Sequence, residues 1–264
     1  MAICVAGMHR AGTSLVTRLL NLCGVYLGEA RDLVPPGPDN PEGFWENLNF
    51  VVVNDMLLEV LGGAWDDPPA LPAGWERRPE LEPYRLAGLE VVDAFGERTD
   101  WGWKDPRNSL TLPFWRHLVP ALRLLVCVRH PVEVARSLAA RDRMSIAAGL
   151  DLWLTYYSQL LADASPTGAV VTHYASYLEN PDAELRRVLR LLELPASERM
   201  IRTALPAVGR GLRHHDLASS ALRDCDTRPE LVALYEQLCD AATAPAAAHL
   251  RAPTPRVAPP RAAW

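Results

Sequence analysis

The sequence predicts a three-layer α/β fold, with a central parallel sheet covered by helices on both faces. Three observations carry this expectation. Short continuous apolar runs recur as AICVA at 2–6, in LRLLVCVRHP at 122–131 and in GAVVTHY at 168–174, as expected of strands buried on both faces. Stretches of helical period alternate with them. A glycine-rich turn, GMHRAGTS at 7–14, joins the first strand to the first helix.

Taken in order, Thr13 to Cys23 reads as a helix with Leu15, Val16, Leu19, Leu20 and Leu22 on its apolar face. DLVPPGPDNPEGF at 32–44 is too rich in Pro and Gly for anything but loop. Trp45 to Leu61 reads as a helix ended by Gly62 and Gly63, and 64–78 as an irregular excursion. Residues 79–96 read as a helix with Pro79 in its first turn. DWGWKDPR at 100–107 is a short strand entering a loop. LRLLVCVRHP at 122–131 is the clearest buried strand, and Pro131 opens a helix to about Arg141. A further helix covers 146–163, a strand 168–174, and a last helix Asp182 to Leu194. Residues 1–240 are expected to form one domain. The Ala/Pro-rich segment 241–264 is expected to be a tail.

The chain has 264 residues, 49% hydrophobic and 22% charged, enough for a full core. Its formal charge of -5 disfavours binding of bulk nucleic acid. Five cysteines, without paired C-x-x-C spacing, indicate neither a disulfide framework nor a zinc site, and no cluster of metal-ligand spacing stands out. No signal peptide and no apolar run of about 20 residues is visible, so a cytoplasmic protein without a membrane span is expected.

The loop carries the chemistry. Gly7 and Gly12 stand five apart, followed by Thr13 and Ser14, nearly the spacing G-x-x-x-x-G-K-[ST] of a phosphate-binding loop. Glycines used for turn geometry alone would give the same spacing. The hydroxyls at a helix N-terminus, where amides lack intrahelical partners, and Arg10 within the loop favour an anion instead. Thr13 replaces the Lys that a nucleoside triphosphatase places on the terminal phosphates, and no strand ends in an acid suited to magnesium. A sulfuryl group on a phosphate fits such a loop.

With His9, Arg10, Ala11, Gly12, Thr13 and Ser14, the stretch HRAGTSL resembles the 5′-phosphosulfate loop of sulfotransferases that use 3′-phosphoadenosine 5′-phosphosulfate (PAPS). His9 stands where many members carry Pro. Three further segments are similar to that family. In VCVRHPVEVARSL, Arg129 and Ser137, eight apart, match the pair that holds the 3′-phosphate. In THYASYLENP, Tyr174 falls where the family tyrosine approaches the adenine, although Ala175 and Ser176 replace a common Glu-Asp. In WKDP, Lys104 matches the lysine that contacts the transferring sulfate, with Asp105 and Arg107 orienting the loop or pairing with each other. A weaker match, VGRGLRHHD, offers Arg210, Gly211 and Arg213 to the 3′-phosphate, and His214, His215 and Asp216 read as a solvated loop.

The resemblance implies a P-loop-NTPase-like sulfotransferase fold and transfer of a sulfuryl group from PAPS to a hydroxyl or amine, with no metal. The co-product is 3′-phosphoadenosine 5′-phosphate (PAP). Arg10 and Lys104 would supply the catalytic cations. The family base is a His after the lysine strand or a Glu after the first helix. Pro106 occupies the His position, so Glu46 and Glu29 are the candidates. Glu46 ranks first because its neighbours Phe44 and Trp45 are apolar, and burial raises a carboxylate pKa toward working pH. The acceptor is expected to be a small molecule, glycoside or lipid precursor. A P-loop nucleotide kinase and a non-catalytic nucleotide-binding module are the alternatives.

Overall fold

The computed structural model describes residues 1–38, 40–96, 98–162, 168–209 and 228–246. Four parallel strands form the sheet: β1 (Ala2–Ala6), β2 (Trp101–Lys104), β3 (Arg123–Val128) and β4 (Val170–His173), in the order β2-β1-β3-β4. β1 is central, and its C-terminal end feeds the glycine loop. The register pairs Val5 with Lys104 on one side and with Leu125 on the other. The loop therefore emerges between the ends of β2 and β3. Crevices at the carboxyl ends of parallel strands are where such sheets bind ligands.

Period-two alternation divides the core. Ala2, Cys4 and Ala6 face one layer with Leu124, Val126 and Val128. Ile3 and Val5 face the other with Leu125 and Cys127. The second face is covered by α1 (Thr13–Leu22), α7 (Tyr174–Glu179), α8 (Pro181–Leu191) and α9 (Glu198–Ala204). The first face is covered by α2 (Leu48–Val60), α4 (Asn108–Leu118), α5 (Pro131–Asp142), α6 (Ile146–Ala162) and α10 (Pro229–Thr243), with α3 (Glu82–Asp93) packed outside α2 and α4. This is the three-layer α/β arrangement expected from the apolar runs.

Caps set the helix starts. Asn47 accepts from the Asn49 amide at 3.1 Å and opens α2. His130 Nδ1 accepts from the Val132 amide, with Pro131 in the first turn of α5. Asn180 does the same for α8, ahead of Pro181. Each offsets orphan amides, a contribution of about 1 kcal/mol per cap.

Several boundaries differ from expectation. The helix placed at Trp45 begins three residues later, because Trp45 has φ 60 and Asn47 is the cap. The stretch 79–96 divides into a 3-10 turn, Pro79–Leu81, and α3. Tyr174 opens α7 rather than prolonging the strand, since His173 caps that helix by accepting from the Ala175 amide. No helix is expected over 108–118, yet α4 forms there around Pro113 with Leu110, Leu112, Phe114 and Trp115 buried. Helix α10 continues to Thr243, past the expected start of the tail. Among the described residues, no helix is long and apolar enough to cross a membrane.

Candidate active site

The glycine loop is built by close approach. Gly7 has φ 143, and a Cβ there would stand 2.4 Å from the Cys127 carbonyl oxygen of β3. Gly12 has φ 87, and a Cβ there would stand 2.3 Å from the Tyr174 ring. Both positions need glycine for conformation and for space. Arg10 also lies in the left-handed region, at φ 67. The loop is pinned from outside: the Gly7 amide donates to Ser109 Oγ at 3.0 Å, and the Met8 amide to Tyr157 Oη at 3.3 Å.

Helix α1 starts directly after Gly12, with Thr13 buried and Ser14 half-buried. Its first amides lack intrahelical carbonyls and point at the loop's concavity, the arrangement that favours an anion. A cavity of about 800 Å3 opens there. Its walls include Arg10, Gly12, Thr13, Ser14, Glu46, Lys104, Arg129 and Tyr174.

Lys104, at the end of β2, is 1% exposed. Its Nζ donates to Glu46 Oε1 at 2.5 Å and to Ser14 Oγ at 3.3 Å. Burial pushes the Glu46 carboxyl above its ordinary pKa, and Asp105 adds to this, while Lys104 and Arg107 oppose it. Glu46 lies before the Asn47 cap, so it is not a first-turn helix acid. Asn40, which the sequence reading did not single out, donates to Ser14 Oγ at 3.3 Å and to the Gly43 carbonyl at 2.7 Å. Glu29 is exposed, accepts from Tyr26 Oη at 3.0 Å, and is not part of the cavity wall.

The Arg129 and Ser137 pair meets the loop through Arg10. Arg129 Nη1 donates to the Arg10 carbonyl at 3.2 Å, and Arg10 Nε donates to Ser137 Oγ at 2.8 Å. The Arg129 guanidinium stands 4.7 Å over the Tyr174 ring, and its Nε donates to Glu133 at 2.7 Å. Glu133 is a buried acid beside the group assigned to the 3′-phosphate, and it went unnoticed in the sequence. Its i, i+4 spacing to Arg129 and Ser137 was the available signal.

Beneath Lys104 lies a buried polar network. Asp105, fully buried, accepts from the Arg107 amide at 2.9 Å, from Arg107 Nη1 at 2.8 Å and from Asn54 Nδ2 at 2.9 Å. Asn54 Oδ1 accepts from Thr111 and from the Trp115 indole. Asn108 donates to the Val5 carbonyl at 3.0 Å, which ties this network to the strand that feeds the loop. Satisfied networks of this kind hold a site in one geometry.

His9 packs against Trp65, with ring centroids 4.6 Å apart, and edge-on to Tyr156 at 5.9 Å. Burial pushes its pKa well below the ordinary value, and Arg107, Arg141, Lys104 and Arg10 add to this, so the ring is neutral near pH 7. Arg210, Gly211 and Arg213 lie outside the described residues, as do His214, His215 and Asp216.

A model of the sulfotransferase family matches residues 2–198. The chain belongs to the sulfotransferase family. The match starts with β1 and ends at α9, so it includes the loop, the lysine strand, the Arg129 segment and α7. Among solved structures, this family member is similar to sulfotransferase STF1 from Mycobacterium tuberculosis H37Rv, at 14% identity and a TM-score of 0.45, over 84% of this chain and 75% of that one. It is also similar to retinol dehydratase solved with androsterone and the inactive cofactor PAP, at 14% identity and a TM-score of 0.42, over 79% of this chain and 64% of that one. No curated protein matches this sulfotransferase-family chain. Among its described residues, no group of His, Cys, Asp and Glu side chains is arranged to hold a metal ion.

Proposed function

We propose that this protein transfers the sulfuryl group of PAPS to a hydroxyl of a small-molecule acceptor. The observation that carries the reading is the meeting of a glycine loop at a helix N-terminus with a buried Lys104–Glu46 pair in one cavity. The phosphosulfate would lie over the α1 amides, Thr13 and Ser14. Arg129 and Ser137 would receive the 3′-phosphate, and Tyr174 would border the adenine.

In the reaction, the acceptor oxygen attacks sulfur and forms a new S–O bond as the S–O bond to the 5′-phosphate breaks. Negative charge develops on that bridging oxygen, where Lys104, Arg10 and the helix amides can stabilise it. The acceptor proton passes to Glu46. Donor binding would draw Lys104 toward the sulfuryl group, and the weakened ion pair would leave Glu46 free to accept the proton. A carboxylate with a raised pKa suits this role, because base strength rises with pKa while the group stays ionised at working pH.

Thermal unfolding with PAP against ATP-Mg tests the reading. Stabilisation by PAP that needs no magnesium is expected. Stabilisation by ATP-Mg alone would return the site to the nucleotide-kinase alternative.

A further inference from the structure

Arg141 lines the cavity without a part in the donor contacts assigned above. Helix α5 presents Glu133, Ser137 and Arg141 at i+4 intervals, which places them on one face. Glu133 grips Arg129, and Ser137 accepts from Arg10. Arg141, one turn further on, also lines the cavity. Its guanidinium lies 5.4 Å over the Trp65 ring. Its Nε donates to both carboxylate oxygens of neighbouring Asp142, at 2.9 and 2.8 Å. Among the described residues, its Nη1 and Nη2 have no hydrogen-bond partner.

An arginine in the last turn of a helix is ordinarily a solvated group that complements the helix dipole. Arg141 departs from that pattern, because only 22% of its side chain is exposed and an indole face and a carboxylate hold its plane. The free edge of a guanidinium fork so oriented matches a carboxylate, sulfate or phosphate.

Its position sets it at the acceptor end. Tyr174, which would border the adenine, lines the same cavity, and the guanidinium over its ring is that of Arg129. Arg141 instead neighbours the His9 and Trp65 pair, and His9 precedes the loop arginine directly. Lys104, the lysine assigned to the sulfuryl group, lines the cavity together with His9 and Arg141.

We propose that Arg141, seated on Trp65, is the acceptor-recognition residue, and that the natural acceptor carries an anionic group a few bonds from the hydroxyl that is sulfated. This rests on the sulfotransferase reading. Anionic acceptors are poor ligands for a site already filled by a polyanionic donor. A fixed cation beyond the sulfuryl group removes that repulsion and orients the hydroxyl toward Glu46.

The test uses the full chain, PAPS labelled in the sulfuryl group, and two matched acceptor pairs. These are 4-hydroxyphenylacetate against 4-hydroxyphenylacetamide, and phenyl β-D-glucuronide against phenyl β-D-glucoside. The anionic member of a pair is expected to have a kcat/KM roughly tenfold or more above its neutral partner, the worth of one charge-assisted contact. Arg141→Met keeps an apolar stem on Trp65 and should erase that preference, chiefly through KM. Arg141→Lys should retain part of it, and PAP affinity should hold in both variants. Three results overturn the proposal: no preference for the anion in the wild type, including no sulfation of either anionic probe; equal losses on both members of a pair in Arg141→Met; or a matching loss of PAP affinity, which would assign Arg141 to the donor. If the variants fail to fold, the wild-type preference alone decides. PAP binding in the same preparations separates the two readings, because its absence would defeat the sulfotransferase reading itself.

Discussion

Glu46→Gln removes a negative charge from beside a buried ammonium while preserving shape. Lys104 is 1% exposed and its strongest contact is Glu46 at 2.5 Å. Removing one member of a buried ion pair costs about 3 kcal/mol or more, because the remaining charge is left uncompensated. Ser14 and the new amide oxygen offset part of that loss. The raised pKa of Glu46 means that burial of its charge outweighs the attraction of Lys104, and the neutral amide escapes that burial cost, so the net change read in urea unfolding should be smaller than the loss of the pair alone. The donor tells the opposite story. Lys104 no longer shares its charge with a carboxylate, so PAP affinity should stay level or rise. Turnover should fall by about 100-fold or more, the usual worth of a positioned base. The pH profile should change as well. Burial raises the Glu46 pKa above 4.5. The folded state therefore holds its proton to higher pH than the unfolded chain, so ionisation of Glu46 costs stability as pH rises through that window. Wild-type activity should climb over the same window as the base loses its proton, and Glu46→Gln should lose that acid limb. Labelled-donor turnover and calorimetric titration with PAP check the set. Turnover within threefold of wild type would refute the base assignment. A loss of PAP affinity as large as the loss of turnover would show that Glu46 acts only by holding Lys104 in place.

Two other substitutions probe the donor side. Arg129→Ala should weaken PAP far more than adenosine 5′-phosphosulfate, by about 1.5–3 kcal/mol for the lost charge-assisted contact and further because the Glu133 carboxylate would then face the phosphate unopposed. Equal losses on the two ligands in calorimetry would show that Arg129 does not read the 3′-phosphate, and adding Glu133→Gln should recover part of the loss. Gly12→Ala should destabilise the chain by about 1–2 kcal/mol for a left-handed alanine and displace the Tyr174 ring, which a Cβ would meet at 2.3 Å. Urea unfolding and PAP titration would read both effects, and an unchanged PAP affinity would argue against an adenine-side role for Tyr174.

The parts that were legible in the sequence are those with local causes. Strands buried on both faces appear as unbroken apolar runs, and β1, β3 and β4 were visible for that reason. The two glycines, the hydroxyls and Pro131 each act within a few residues of their own position. Contacts between distant segments left no such trace. Asn40 reaches Ser14 across 26 positions, and Asn54 reaches Asp105 across 51. Both are ordinary polar residues until the fold joins them. Helix α4 was missed because Pro113 outweighs its neighbours in a local reading, whereas Phe114 and Trp115 gain enough from burial to hold the helix around it. Distance from the glycine loop alone favours Glu29, whereas the fold sets Glu46 against Lys104 at 2.5 Å and leaves Glu29 with Tyr26 outside the cavity wall.

The same register accounts for the residue the loop lacks. A phosphate loop with Thr13 in place of lysine has no cation of its own at the helix N-terminus. Parallel pairing of Val5 with Lys104 brings the neighbouring strand's last residue level with the end of β1. From there Nζ reaches Ser14 Oγ at 3.3 Å, one residue beyond the substituted position. The charge is thus delivered across the sheet instead of along the chain. A lysine within the loop would be committed to the phosphates it cradles. Lys104 at the end of β2 contacts both Ser14 and Glu46, so under the proposed function it can meet a carboxylate on the acceptor side and an anion on the donor side. That placement suits a reaction in which the transferred group moves from one side to the other, and it is why Lys104 and Glu46 are best understood as a single unit.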